Sequence, residues 1–218
     1  MTNTKKGDFI EIRYKGYANG ELFDSNIEEE VKKIYKDAKG EKTIAIIGQG
    51  TIVSGLDKDL EGKEIGKDYS VEFGPKEGFG ERRKELIRTI PLKMFLEKKV
   101  NPQAGMSFNI DGQLVKIIAV SGARVIADFN NPLASKKLKY EYKIIRKVED
   151  EKEKVEAVLK NLFRIAPEFE IREKVIVKGP KGFDMFVKAF NERFKELIGK
   201  ELEFKEIESK KKEEKTSQ

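Results

Sequence analysis

The chain has 218 residues, 39% charged and 38% hydrophobic, with a net charge of +6 and no cysteine, histidine or tryptophan. Those absences exclude disulfides, thiolate chemistry, imidazole bases and soft metal sites, and no apolar run marks a membrane span or a secretory signal. The length suits two or three small domains. The positive charge is spread along the chain; Lys136, Lys137 and Lys139 are the nearest approach to a basic patch, better read as a guarded strand edge than as a nucleic-acid surface.

Ile10, Ile12 and Tyr14 alternate with Glu11, Arg13 and Lys15, which predicts a half-buried strand. Asn19-Gly20 then turns the chain into a short strand that brings Phe23 and Asp24 beside Tyr14. Residues 28–37, acidic first and basic later with Val31, Ile34 and Tyr35 on one face, predict a short surface helix. A strand over 43–47 runs through Gly48-Gln49-Gly50 to Ile52-Val53 and a helix of two turns ending at Leu60, with Gly62 as its stop. A strand over 69–73 and the loop 74–80 follow.

Within residues 84–128, strands are predicted over 107–110, 113–120 and 124–128, with hairpin turns at Asp111-Gly112 and Ser121-Gly122. They describe a small β-module inserted on two connecting stalks. Beyond 150, Val155, Val158, Leu159 and Leu162 stand at helical spacing, 169–177 alternates as a strand, and Gly179-Pro180-Lys181-Gly182 turns into a helix carrying Phe183, Phe186, Val187, Phe190, Phe194 and Leu197. Gly199 ends that helix, 201–207 makes a strand, and 209–218 is a charged tail expected to be disordered. An α-β-α-β unit of this size is near the lower limit for its own core, so docking on the preceding domain or pairing with a second copy is expected.

Tyr14-Lys15-Gly16, Phe23-Asp24-Ser25, Gly50-Thr51-Ile52-Val53-Ser54-Gly55-Leu56, Leu60-Glu61-Gly62 and the loop from Pro75 to Gly80 resemble, in order and spacing, the FKBP-type peptidyl-prolyl cis-trans isomerases. Phe79 stands where the family usually has Tyr, and Leu56 where many members have Trp. Asn130-Asn131-Pro132-Leu133-Ala134-Ser135 resembles the N-H-P-L-A-G return of the SlyD-like branch, with Asn131 for the His and Ser135 for the Gly. The resemblance implies an α+β fold: an FKBP-like antiparallel sheet wrapped on a short helix, with an inserted small β domain and a C-terminal α/β-alternating domain, as in a long archaeal-type member. Its domains would be 1–83 plus 129–150 for the isomerase, 84–128 for an insert-in-flap chaperone domain, and 151–208 for the added unit.

The resemblance also implies a site made of Tyr14, Phe23, Asp24, Ile52, Val53, Leu56, Phe79 and Tyr140. Phe23, Ile52, Leu56 and Tyr140 would wall a proline ring, the Val53 N–H would hold a substrate carbonyl, and Asp24, tied to Tyr14, would face the rotating amide. Taken singly, an alternating Tyr or Ile is core and an Asp after Phe is a turn residue or cap. Isomerisation itself needs no base, nucleophile, cofactor or metal: the barrier of about 18–20 kcal/mol comes from amide resonance. The hydroxyl absent at Phe79 is worth one hydrogen bond of about 0.5–1.5 kcal/mol, so its loss lowers activity by at most about tenfold.

In the insert, Leu92, Met94, Phe95, Leu96, Met106 and Phe108 are either a client-binding surface or the insert's own core. The expected partners are unfolded or proline-containing polypeptides, with a homodimer through the C-terminal unit favoured over client binding there, and with neither membrane nor nucleic acid. A chain without cysteine fits the cytoplasm. The competing reading is a catalytically weak holdase or ribosome-associated adaptor on an FKBP scaffold, for which Leu56 and Phe79 are the support.

Overall fold

The computed structural model describes residues 3–110 and 112–207; the charged tail and Asp111 of the first insert turn lie outside them. Strand β1 (Phe9–Ala18) is the spine of a five-stranded antiparallel sheet. One edge pairs with β9 (Leu138–Lys147), which pairs in turn with β4 (Asp68–Phe73). The other edge pairs with β3 (Thr43–Ile46) along its first half and β2 (Glu21–Ser25) along its second. Asn19 and Gly20, at φ 53° and 85°, make the two-residue turn that this hairpin requires.

Ile10, Ile12 and Ala18 of β1 and Leu138, Tyr140, Tyr142 and Ile144 of β9 face a short helix, α2 (Ser54–Asp59), and share one core with Leu56 and Leu60. That helix lies on the sheet through a glycine: a Cβ on Gly55 would fall 2.3–2.5 Å from the Phe73 ring. The surface helix α1 (Glu28–Ile34) has its acids in the first turn and Lys32 and Lys33 in the last, and it buries no side chain. It stops at Ile34 rather than at 37, and Tyr35 beyond it is exposed.

The insert is a four-stranded antiparallel sheet in the order β5-β8-β7-β6, formed by β5 (Ile87–Pro91), β6 (Ser107–Ile110), β7 (Gln113–Ser121) and β8 (Arg124–Asp128). A helix, α3 (Leu92–Glu97), follows β5. Sequence reading misses β5, because its side chains are almost all exposed and show no alternation. Val115, Ile117, Val125, Ala127 and Phe95 form a core separate from that of the large sheet. Side chains lace the two connecting stalks together. Asn130 Nδ2 donates to the Arg83 carbonyl at 3.0 Å and its Oδ1 accepts from the Arg83 N–H at 2.8 Å, while Arg82 pairs with buried Asp128. Burial opposes the Asp128 charge, but bonds from Asn130 and Arg82 outweigh it and hold the carboxyl below its usual range.

The C-terminal unit starts with α4 (Glu151–Phe163), whose N-cap Asp150 accepts from the Glu153 N–H at 2.8 Å. One strand is expected over 169–177; the structure has two, β10 (Glu168–Ile171) and β11 (Val175–Gly179), paired antiparallel. The turn between them, Arg172-Glu173-Lys174, contains no glycine, proline or asparagine to announce it. Helix α5 (Asp184–Ile198) ends at Gly199 with φ 83°, and β12 (Leu202–Glu206) then pairs parallel with β11. The order is therefore α-β-β-α-β.

This unit docks on the large sheet. Phe9, Ile46 and Val148, on the face of that sheet away from α2, share one buried core with Val155, Val158, Leu159, Val175, Val177, Val187, Phe194 and Leu202. Arg146 bridges Glu11 and Glu153 at the margin. Docking, one of the two expected remedies for a small core, is present. No helix among the described residues is long and apolar enough to cross a membrane.

Candidate active site

The eight predicted site residues come from six places in the fold. Tyr14 lies on β1, Phe23 and Asp24 on β2, Tyr140 on β9, Leu56 on α2, Ile52 and Val53 just before α2, and Phe79 in the loop after β4. Leu56 and Tyr140 are buried, and Tyr14, Phe23, Ile52 and Val53 pack against their cluster while remaining partly open. Phe79, 38% exposed, closes the rim edge-on against Phe23 at 6.2 Å between ring centroids.

Tyr140 is the hub. Its ring lies 5.9 Å from Tyr14, 5.9 Å from Phe23 in a T-shaped arrangement, and 5.8 Å from Phe73 in a stack with an interplanar angle of 8°. Gly16 lets these rings close: a Cβ there would fall 2.9 Å from the Tyr140 ring and 3.2 Å from that of Phe23, which explains the glycine two residues after Tyr14. Phe73 is the neighbour that sequence reading leaves out. It belongs to a recognised strand, and its alternation with Tyr69 and Val71 marks it as inward-facing, but nothing local says that it underlies Tyr140.

Polar groups gather at the rim of this aromatic floor. Tyr14 Oη donates towards Asp24 Oδ1 at 3.4 Å, long for an O–H···O bond. Burial pushes the Asp24 carboxyl above its ordinary 3.8, outweighing the bonds from Tyr14 and the Ser25 N–H. Burial first, and the Asp24 charge second, push the Tyr14 and Tyr140 hydroxyls up; both stay protonated across the physiological range. The Val53 N–H makes no hydrogen bond among the described residues. The arrangement is an aromatic cluster with a carboxyl group, two hydroxyls and one backbone donor without a partner among the described residues at its partly exposed side.

The six insert residues divide. Phe95 is in the insert's core, with Leu92 and Phe108 packed against it. Met94 and Leu96, 56% and 53% exposed, and Met106 lie on the surface. Beside them a cleft of about 220 Å³ is lined by Ile90, Met94, Phe95, Val100 and Phe108. Leu114, Ile118 and Val120 are exposed on the same module and were not expected. Lys137 pairs with Glu72 and Lys139 with Glu141, so the lysine run is neutralised in part at the sheet edge.

The model of a family described as FKBP26, IF domain, matches residues 88–133. The chain is 36% identical over 143 residues to the short-type peptidyl-prolyl cis-trans isomerase of Methanocaldococcus jannaschii, covering 64% of this chain and 91% of that protein. The chain belongs to the FKBP-type peptidyl-prolyl cis-trans isomerases. Within them it stands with the SlyD-like branch that carries an inserted IF domain. It is 30% identical over 102 residues to the FKBP-type isomerase SlyD of Haemophilus influenzae and, over the same length, to SlyD of Escherichia coli K12. Those matches cover 45% of this chain and 53% and 52% of the two SlyD proteins, about half their length. Of its two departures from the family pattern, Leu56 is buried in the core cluster with Tyr140 and Phe79 is partly exposed against Phe23.

Proposed function

We propose that the slot around Tyr140 is a prolyl site and that the chain catalyses X-Pro rotation in polypeptides while its insert holds unfolded segments nearby. The observation that carries this reading is the meeting of a buried Leu56–Tyr140 floor with an open Phe23–Phe79 rim beside Asp24. The proline ring enters between Phe23, Ile52 and Tyr140, and the Val53 N–H holds a carbonyl of the bound chain. Planar amide resonance puts negative charge on the rotating oxygen. Taking that oxygen out of water, next to the Asp24 carboxylate, disfavours the planar form more than the twisted one, in which the charge shrinks. No covalent bond forms, so no nucleophile or metal is called on.

Met94, Leu96 and Met106 supply the flexible apolar contact that varied clients need, and tethering raises the local concentration of prolines at the slot. Deleting residues 84–128 should leave catalysis on a short proline peptide intact while slowing the catalysed refolding of a proline-limited protein at least tenfold. Equal refolding rates would remove the insert from the function. A homodimer through the C-terminal unit is supported by Met185 and Phe186, 70% and 55% exposed at the start of α5. Sedimentation equilibrium should report a dimer that Phe186→Glu dissociates; a monomeric wild type contradicts it. A chain with no cysteine fits such work in the cytoplasm.

A further inference from the structure

Between β3 and α2, the backbone of residues 48–51 is held from two sides. The Gly48 and Gly50 N–H groups point inward and donate to the two oxygens of buried Asp57 at 2.8 and 2.9 Å. Both glycines have positive φ, 71° and 67°, the conformation that aims such amides together at one anion. The carbonyls of Gln49 and Thr51 point outward, to the C-terminal unit. Arg193 on α5 donates through Nη2 to the Gln49 carbonyl at 2.9 Å and to the Gln49 Oε1 at 3.1 Å. Asn161 on α4 donates through Nδ2 to the Thr51 carbonyl at 3.3 Å. The next two residues are Ile52 and Val53.

We propose that Asn161 and Arg193 are positioning residues for prolyl isomerisation: the C-terminal unit fixes the loop that presents the Ile52 side chain and the Val53 N–H to the substrate. This rests on the reading of the slot given above. The loop is not packed solid from behind. A cleft of about 520 Å³ lies between α4 and the β3 edge, with Thr51, Ile52 and Asn161 among its lining residues. On its inner side the loop is held by Asp57 and by the Ile46 N–H, which donates to Thr51 Oγ1 at 3.0 Å; on its outer side, among the described residues, it is held by the hydrogen bonds that span the gap. Arg193 and Asn161 are only half-buried, so water can replace them at the two carbonyls with little cost to folding. What their removal changes is the fraction of molecules with the loop correctly placed, and apparent affinity falls by that fraction.

The test uses the full chain with Asn161→Asp, which removes the donor at nearly constant shape, combined with Arg193→Ala. On a short proline peptide, KM should rise at least threefold with kcat within twofold of wild type. Amide exchange at Gly48 and Gly50 should accelerate, and Arg193→Lys, which keeps one donor, should fall between. A folded double variant with wild-type KM and wild-type exchange overturns the proposal, as does an equal loss that tracks loss of ellipticity in both this variant and Asn161→Asp alone. Phe23→Ala in the same assay separates the two readings. If it abolishes catalysis while the double variant behaves as wild type, only the positioning role fails; if it leaves catalysis intact, the slot reading fails and the positioning role with it.

Discussion

Asp24 carries its charge where burial resists it, and that has a consequence for stability. Its folded pKa is raised above the ordinary 3.8, so between the two values the folded state binds more protons than the unfolded one. Stability must then fall as pH rises through that window, and the penalty is fully present above the raised value. Asp24→Asn keeps an acceptor for Tyr14 and removes the charge. We expect a higher thermal midpoint than wild type at neutral pH, the difference shrinking as pH falls towards the ordinary aspartate value, together with slower isomerisation. Parallel midpoint-against-pH curves for the two proteins would contradict the burial argument. At this scale the site is legible only in part. Alternation marks Ile10, Ile12 and Tyr14 as inward-facing and the family pattern joins Phe23, Asp24 and Ile52 to them, whereas Phe73 and Asp57 act through contacts made across the sheet and loop. A local pattern cannot contain those contacts.

The elements show how glycine placement fixes the slot. Gly55 lies in the first turn of α2, directly over the Phe73 ring, and Phe73 in turn stacks on Tyr140. A methyl group at 55 has no space, so the ring must shift and the floor of the slot with it. Gly55→Ala should cost about 1–3 kcal/mol, the range for overpacking a well-filled core, read as a lower urea midpoint, and it should reduce peptide isomerisation as Tyr140 moves. An unchanged midpoint would mean that α2 rides freely on the sheet. Elements with strong periodicity are legible from sequence: the alternating Ile10–Tyr14 falls within β1, and the helically spaced Val155–Leu162 and Phe186–Leu197 fall within α4 and α5, with Phe183 at the N-cap of α5. The strand expected over 169–177 is not, because period-2 alternation continues across the tight Arg172–Lys174 turn and so cannot separate one strand from a hairpin.

At the scale of the whole molecule, the C-terminal unit covers the second face of the five-stranded sheet. Ala45 next to Ile46 on β3, and Phe9 next to Ile10 on β1, make these strands apolar on both faces. Such runs signal a strand covered on each side. The signal is present in the sequence, but it does not say what provides the second cover. The structure supplies α4, α5 and the strands beneath them, and so explains how a unit too small for an independent core is stabilised. The insert keeps its own core, and its two stalks are tied to each other by the Arg82–Asp128 and Arg83–Asn130 contacts. Exchange between the cis and trans forms of a short proline peptide, followed with the full chain, Phe23→Ala and Asp24→Ala, decides between an isomerase and an inert scaffold that only binds. Catalysis by the wild type that each substitution lowers at least tenfold is the expected result; a folded wild type that leaves the exchange rate unchanged would contradict the isomerase reading.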